Sequence, residues 1–150
     1  MRFIIASDHA GFEYKNILLN DIISKGVDIT DLGTFDKTPC DYPDKASDVA
    51  RAIMEGRAER GILICGSGVG VSIAANKFKG IRAGVCHDTY SAHQCVEHDN
   101  TNVLCIGERV IGIELAREIV FAFINARFSN EERHKRRLGE IITIENTNFK

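Results

Sequence analysis

The sequence predicts an α/β fold in three layers, α/β/α, around a mainly parallel five-stranded sheet with a C-terminal helical extension. Three observations carry this. Short apolar runs alternate with longer amphipathic ones along the whole chain, the rhythm of repeated βαβ units. Runs such as Gly61-Ile-Leu-Ile-Cys65 are apolar on both faces, as a parallel sheet covered by helices on both sides requires. At 150 residues without a low-complexity linker or internal repeat, the chain suits one domain spanning 1–150.

Taken in order, strands are expected near 2–7, 27–32, 60–65, 81–86 and 102–107. Helices are expected near 11–25, 43–57, 69–78, 88–98 and 112–126, with a further helical region from about 130 that holds the basic segment Arg133-His-Lys-Arg-Arg137. Ligands of such sheets bind beyond the carboxyl ends of the strands. The loops at that edge read Ser7-Asp8-His9-Ala10-Gly11, then Gly33-Thr34 with Asp41-Tyr42-Pro43, then Gly66-Ser-Gly-Val-Gly70, then His87-Asp88.

Composition excludes several function classes. A net charge of −2 and a pI near 6.2 give no electrostatic footprint for nucleic acid. The N-terminus meets charge at once and no run reaches membrane-spanning length, so a cytoplasmic protein with no membrane partner is expected. The five cysteines, at 40, 65, 86, 95 and 105, form no CxxC pair and read as free thiols. Most are expected to be small buried hydrophobes.

Cys65-Gly-Ser-Gly-Val-Gly70 leaves an apolar strand and enters a helix, so Gly66, Gly68 and Gly70, with Ser67 and Val69 between them, can aim several backbone N–H groups at one anionic oxygen. A dinucleotide fingerprint needs a glycine where Val71 stands, and a P-loop needs Gly-Lys followed by Ser or Thr. The alternative is a tight turn without a ligand. Cys65 sits where amides at a helix start favour the thiolate, so it can serve as a base; the alternative is an inert buried thiol. Asp8, His9 and His98 can handle protons on hydroxyl oxygens, although a lone histidine is more often structural. Arg133 and Arg137, four apart on a helix, share a face and can form a fork for a phosphate dianion, joined by Arg109 after the fifth strand; the alternative is a solvated basic face.

These segments, with Ala74-Ala-Asn-Lys77, Gly80-Ile-Arg-Ala83, His98, Thr101-Asn-Val103, Arg133-His134 and Arg137, together resemble the type B ribose-5-phosphate isomerases over nearly the whole chain. The resemblance implies a Rossmann-like homodimer whose two sites are each completed by the neighbouring subunit, with further association to a tetramer left open, and with no cofactor and no metal. It implies that Cys65 moves a proton between C1 and C2 while the amides of residues 66–70 hold the enediolate oxygen and Ser67 assists. It implies ring opening by Asp8 and His98, a phosphate site from His9, Arg109, Arg133 and Arg137, and Tyr42 lining the pocket. Asp99 departs from the family, which commonly has asparagine contacting the sugar there, and Asn100 is the substitute at hand. Isomerisation of allose 6-phosphate or galactose 6-phosphate is the rival within the family. A nucleotide-binding module, with Asp88 on a ribose, is the rival outside it.

Overall fold

The computed structural model describes residues 1–149. Five strands, β1 (Phe3–Ser7), β2 (Ile29–Asp31), β3 (Arg60–Cys65), β4 (Ala83–Val85) and β5 (Val103–Gly107), form one sheet in the order β2-β1-β3-β5-β4. Every pairing is parallel, so the sheet expected to be mainly parallel is wholly so. The helices are α1 (Phe12–Ser24), α2 (Tyr42–Met54), α3 (Val69–Ala75), α4 (Thr89–Asp99), α5 (Ile113–Asn125) and α6 (Glu132–Asn148), with a 3-10 turn, His9–Gly11, leading into α1.

Alternation along the strands divides the core in two. Phe3 and Ile5 of β1, Ile62 and Ile64 of β3, and Leu104 and Ile106 of β5 pack against α1, α4 and α5. Ile4 and Ala6, Leu63 and Cys65, and Val103 and Cys105 face α2 and α3. The chain winds outward from β1 to β2 and then returns past β1 to β3. The carboxyl ends of β1 and β3 therefore flank the point where the winding reverses, which is where an open α/β sheet leaves a crevice.

The departures from expectation lie at element ends. β4 covers only Ala83–Val85 of the expected 81–86, and α3 stops at Ala75 rather than near 78. One residue explains both. Asn76 ends α3 and turns its amide to Ala83, accepting from its N–H at 2.8 Å and donating to its C=O at 2.9 Å, so a side chain occupies the outer edge of β4. β2 shrinks to Ile29–Asp31 because Asp31 bends the chain, its Oδ1 accepting from Gly33 N–H at 2.8 Å. Its other oxygen meets Lys15 Nζ at 2.5 Å. Lys15 is fully buried, with the rings of Phe12 and Phe35 5.8 and 5.6 Å from its ammonium.

Candidate active site

At the reversal point lies a cleft of about 450 Å³ lined by Asp8, His9, Ala10, Tyr42, Cys65, Gly66, Ser67, Gly70, Arg109 and Val110. Each reaches it from the end of an element. Asp8 follows β1 and caps the 3-10 turn, its Oδ1 accepting from Ala10 and Gly11 N–H at 2.9 and 3.1 Å. That geometry holds a carboxylate at 7% exposure with one oxygen fixed. His9 is held by the backbone of Cys40, whose N–H donates to Nδ1 at 3.2 Å. Tyr42 opens α2, followed by a proline in the first turn, where its missing N–H costs nothing.

Cys65 ends β3 at 5% exposure, and Gly68 N–H donates to its sulfur at 3.1 Å. Gly68 makes this possible by taking the left-handed region, φ 79°. A side chain there would also stand 3.0 Å from the Ile106 carbonyl carbon. Gly70 has a different reason to lack a Cβ, which would fall 2.8 Å from the Tyr42 ring. Val69 N–H donates to Ser67 Oγ at 3.3 Å, turning the hydroxyl over the start of α3. Cys105 lies behind Cys65 in the core, and burial, with a smaller contribution from Cys65, pushes its thiol upward and keeps it protonated.

Arg109 leans over Gly66, whose Cβ would come within 3.3 Å of its Nη1. The turn that carries Arg109 is tied to the glycine loop by Glu108 N–H to Cys65 C=O at 2.9 Å and Arg109 N–H to Gly66 C=O at 3.0 Å. Beside it, burial raises the Glu108 carboxyl, which accepts Tyr14 N–H at 3.1 Å.

The expected residues thus separate into two groups. His98, Asp99, Asn100, Arg133 and Arg137 do not line this cleft. They form a second cluster at the end of α4 and the start of α6. His98 stacks on His134 with centroids 4.1 Å apart, and Asn100 closes α4 in the left-handed region, φ 50°. Ser129 ties the two helices together, donating N–H to Glu97 C=O at 3.0 Å and meeting His134 Nδ1 at 2.6 Å through its hydroxyl. Arg133 and Arg137 are exposed, Arg133 is paired with Glu131 at 2.8 Å, and Arg109 lies apart from them in the Cys65 cleft. Among the described residues, no group of three or more His, Cys, Asp or Glu is placed to hold a metal ion.

Several further contributors carry no local signal of their own in the sequence. Gly11 and Gly107 each permit a close approach, since a Cβ would lie 2.5 Å from Ile64 C=O and 2.6 Å from the Ser67 carbonyl carbon respectively. Ala10 and Val110 line the cleft through their place in the fold alone.

The chain matches the Ribose/Galactose Isomerase family over residues 3–141. It is 48% identical over 138 residues to ribose-5-phosphate isomerase B of Escherichia coli strain K12, covering 92% of each chain. It is 45% identical over 126 residues to D-erythrulose-4-phosphate isomerase of Pectobacterium atrosepticum, covering 83% of this chain and 82% of that one. Its fold superimposes on ribose-5-phosphate isomerase B of Clostridium thermocellum with a TM-score of 0.95 at 43% identity, covering 98% of this chain and 99% of that chain. The match over most of the length, in sequence and in fold, places this chain in the ribose/galactose isomerase family.

Proposed function

We propose that the chain, acting as one domain over 1–150, interconverts D-ribose 5-phosphate and D-ribulose 5-phosphate in the cytoplasm as a step of the pentose phosphate pathway. The observation that carries the mechanism is the Gly68 N–H on the Cys65 sulfur at the mouth of a glycine-lined cleft. In this reading the Cys65 thiolate takes the proton from C2 of the open-chain aldose, and the carbonyl oxygen at C1 gathers the charge as an enediolate. The same sulfur returns the proton to C1 while the hydroxyl proton passes from O2 to O1, so that C2=O forms as the enediolate C1=C2 bond is lost, giving the ketose. A proton beside a carbonyl is too weakly acidic for a thiolate unless the developing charge is met as it forms. Amides within residues 66–70, other than the Gly68 N–H that serves the sulfur, meet it, and removing one such donor typically costs about 3–4 kcal/mol. Ser67 assists at the substrate oxygens, and neither cofactor nor metal takes part in these steps.

Asp8 and His98 open the furanose ring, while His9, Arg109, Arg133 and Arg137 bind the phosphate and Tyr42 walls the pocket. Asp99 and Asn100 stand by the sugar. That His98 and the two C-terminal arginines lie outside the Cys65 cleft supports a homodimer in which a second copy supplies them. Support comes from exposed apolar side chains on α6, Ile141, Ile142 and Ile144, at 42, 40 and 64%. The resemblance to D-erythrulose-4-phosphate isomerase supports a second reading, a shorter sugar phosphate in the same cleft, and the Ribose/Galactose Isomerase family match leaves a six-carbon one as its counterpart.

The test is isomerisation of ribose 5-phosphate in D2O by wild type and Cys65→Ala. Wild type is expected to incorporate solvent deuterium at the migrating position. Cys65→Ala is expected to lose about 10²- to 10⁴-fold in kcat while still binding a phosphorylated ligand, since it lacks only the base. Wild-type turnover in Cys65→Ala would remove the thiol from the mechanism.

A further inference from the structure

β4 ends at Val85, two residues short of the end of its neighbour β5. On the side of β5 that faces β4, Val103 N–H is met by Arg82 C=O and Cys105 C=O by Cys86 N–H, both at 3.2 Å. Gly107 N–H is the next donor on that side, in a buried residue beyond the end of β4. It donates instead to His87 Nε2 at 3.0 Å, so an imidazole takes the place of a missing strand carbonyl. A buried amide left without an acceptor is costly, which gives this bond leverage over the position of Gly107.

Gly107 in turn backs the glycine loop. Its Cα lies so close to Ser67 that a Cβ would be 2.6–2.7 Å from the Ser67 carbonyl carbon, Cα and carbonyl oxygen. Gly68 packs on the carbonyl carbon of Ile106 in the same manner, and Gly68 N–H reaches the Cys65 sulfur. A shift of Gly107 is therefore passed by direct contact to the peptide that faces the sulfur. His87 itself does not line the cleft.

We propose that His87 is a positioning residue for isomerisation, holding the end of β5 so that the Ser67–Gly68 peptide stays aimed at the reacting centre. This rests on the isomerase reading above and extends it to a residue outside the cleft. Its signature is chemical rather than steric: what matters is an acceptor at the position of Nε2. Glutamine places its carbonyl oxygen near Nε2, whereas asparagine reaches only the position of Nδ1.

The experiment measures kcat, KM and melting temperature for wild type, H87Q and H87N with ribose 5-phosphate, each assayed well below its own melting temperature. H87Q is expected to keep kcat within about threefold of wild type, and H87N to lose about 10- to 100-fold in kcat with little change in KM, the scale of a small misplacement at a reacting centre. H87L, likewise without an acceptor at the position of Nε2, should match H87N and replaces it should H87N fail to fold. Wild-type kcat in folded H87N or H87L, or an equal loss in H87Q, overturns the role while leaving the isomerase reading intact. An inactive wild-type protein overturns the isomerase reading and this role with it.

Discussion

At the scale of the residue, the site depends on side chains being absent as much as on their presence. Gly70 leaves room for the Tyr42 ring, and a Cβ 2.8 Å from that ring forces the half-exposed tyrosine to swing away. Gly70→Ala is therefore expected to raise KM for ribose 5-phosphate about tenfold and to change kcat less, because the disturbed contact is with Tyr42 rather than with Cys65. Steady-state kinetics check this, and an unchanged KM would show that Tyr42 does not shape the pocket. Cys65 and Gly66, Gly68 and Gly70 were legible in the sequence because three alternating glycines after an apolar run are a local signal. Gly11 and Gly107 were not, because each is a single glycine whose close neighbour lies about 40–55 residues away in the chain. Only the folded sheet brings those pairs together.

At the scale of the element, two buried polar groups hold segments that carry site residues. Lys15 of α1 is fully enclosed and Asp31 at the end of β2 is its counter-ion. Asp31→Asn removes the charge partner and leaves the ammonium buried, so it is expected to destabilise the protein by about 3–5 kcal/mol, whereas Asp31→Asn combined with Lys15→Met recovers much of the loss. Denaturant melts of the single and double variants check this. An equally unstable double variant would show that the pair contributes more than charge balance.

His134, 2% exposed, joins α6 to α4. Burial, then the neighbouring His98 and Arg133, hold its imidazole below the ordinary histidine value, with Arg137 acting in the same direction and Glu131 against it. The unfolded chain then binds more protons than the folded one as pH drops through about 6.5, so stability falls on acidification from there downward. The melting temperature should decline from pH 7 to pH 5 and decline less in His134→Gln. Equal slopes would refute the assignment. Neither buried group was legible as such, since a lysine in an amphipathic helix and a histidine in a basic run both read as exposed. The order of strands and helices was legible from hydrophobic rhythm, and its errors fell at ends such as Asn76 and Asp31, where side-chain hydrogen bonds to backbone displaced strand or helix.

At the scale of the whole molecule, the separation of the Cys65 cleft from His98, Arg133 and Arg137 has a direct consequence. If each site draws on two copies, Cys65→Ala and Arg137→Ala are both impaired alone but complement each other when subunits are exchanged. A hybrid dimer holds one site with both defects and one with none. An equal mixture at random pairing should recover about a quarter of wild-type activity. No recovery after verified exchange would place the whole site within one chain. The sequence presented both groups of residues in order but carried nothing in its spacing to say that the fold of one chain sets them apart. Parallel winding and its reversal between β1 and β3 explain why Asp8 and Cys65 meet, whereas α4 and α6 carry their residues to another place.

The most direct test of the central claim is the kcat/KM of the purified protein for ribose 5-phosphate, measured beside erythrulose 4-phosphate, allose 6-phosphate and galactose 6-phosphate. A clear preference for ribose 5-phosphate is the expected result. Preference for a four- or six-carbon sugar phosphate would contradict the substrate assignment and direct attention to Asp99, and absence of turnover on all four would contradict the isomerase reading itself.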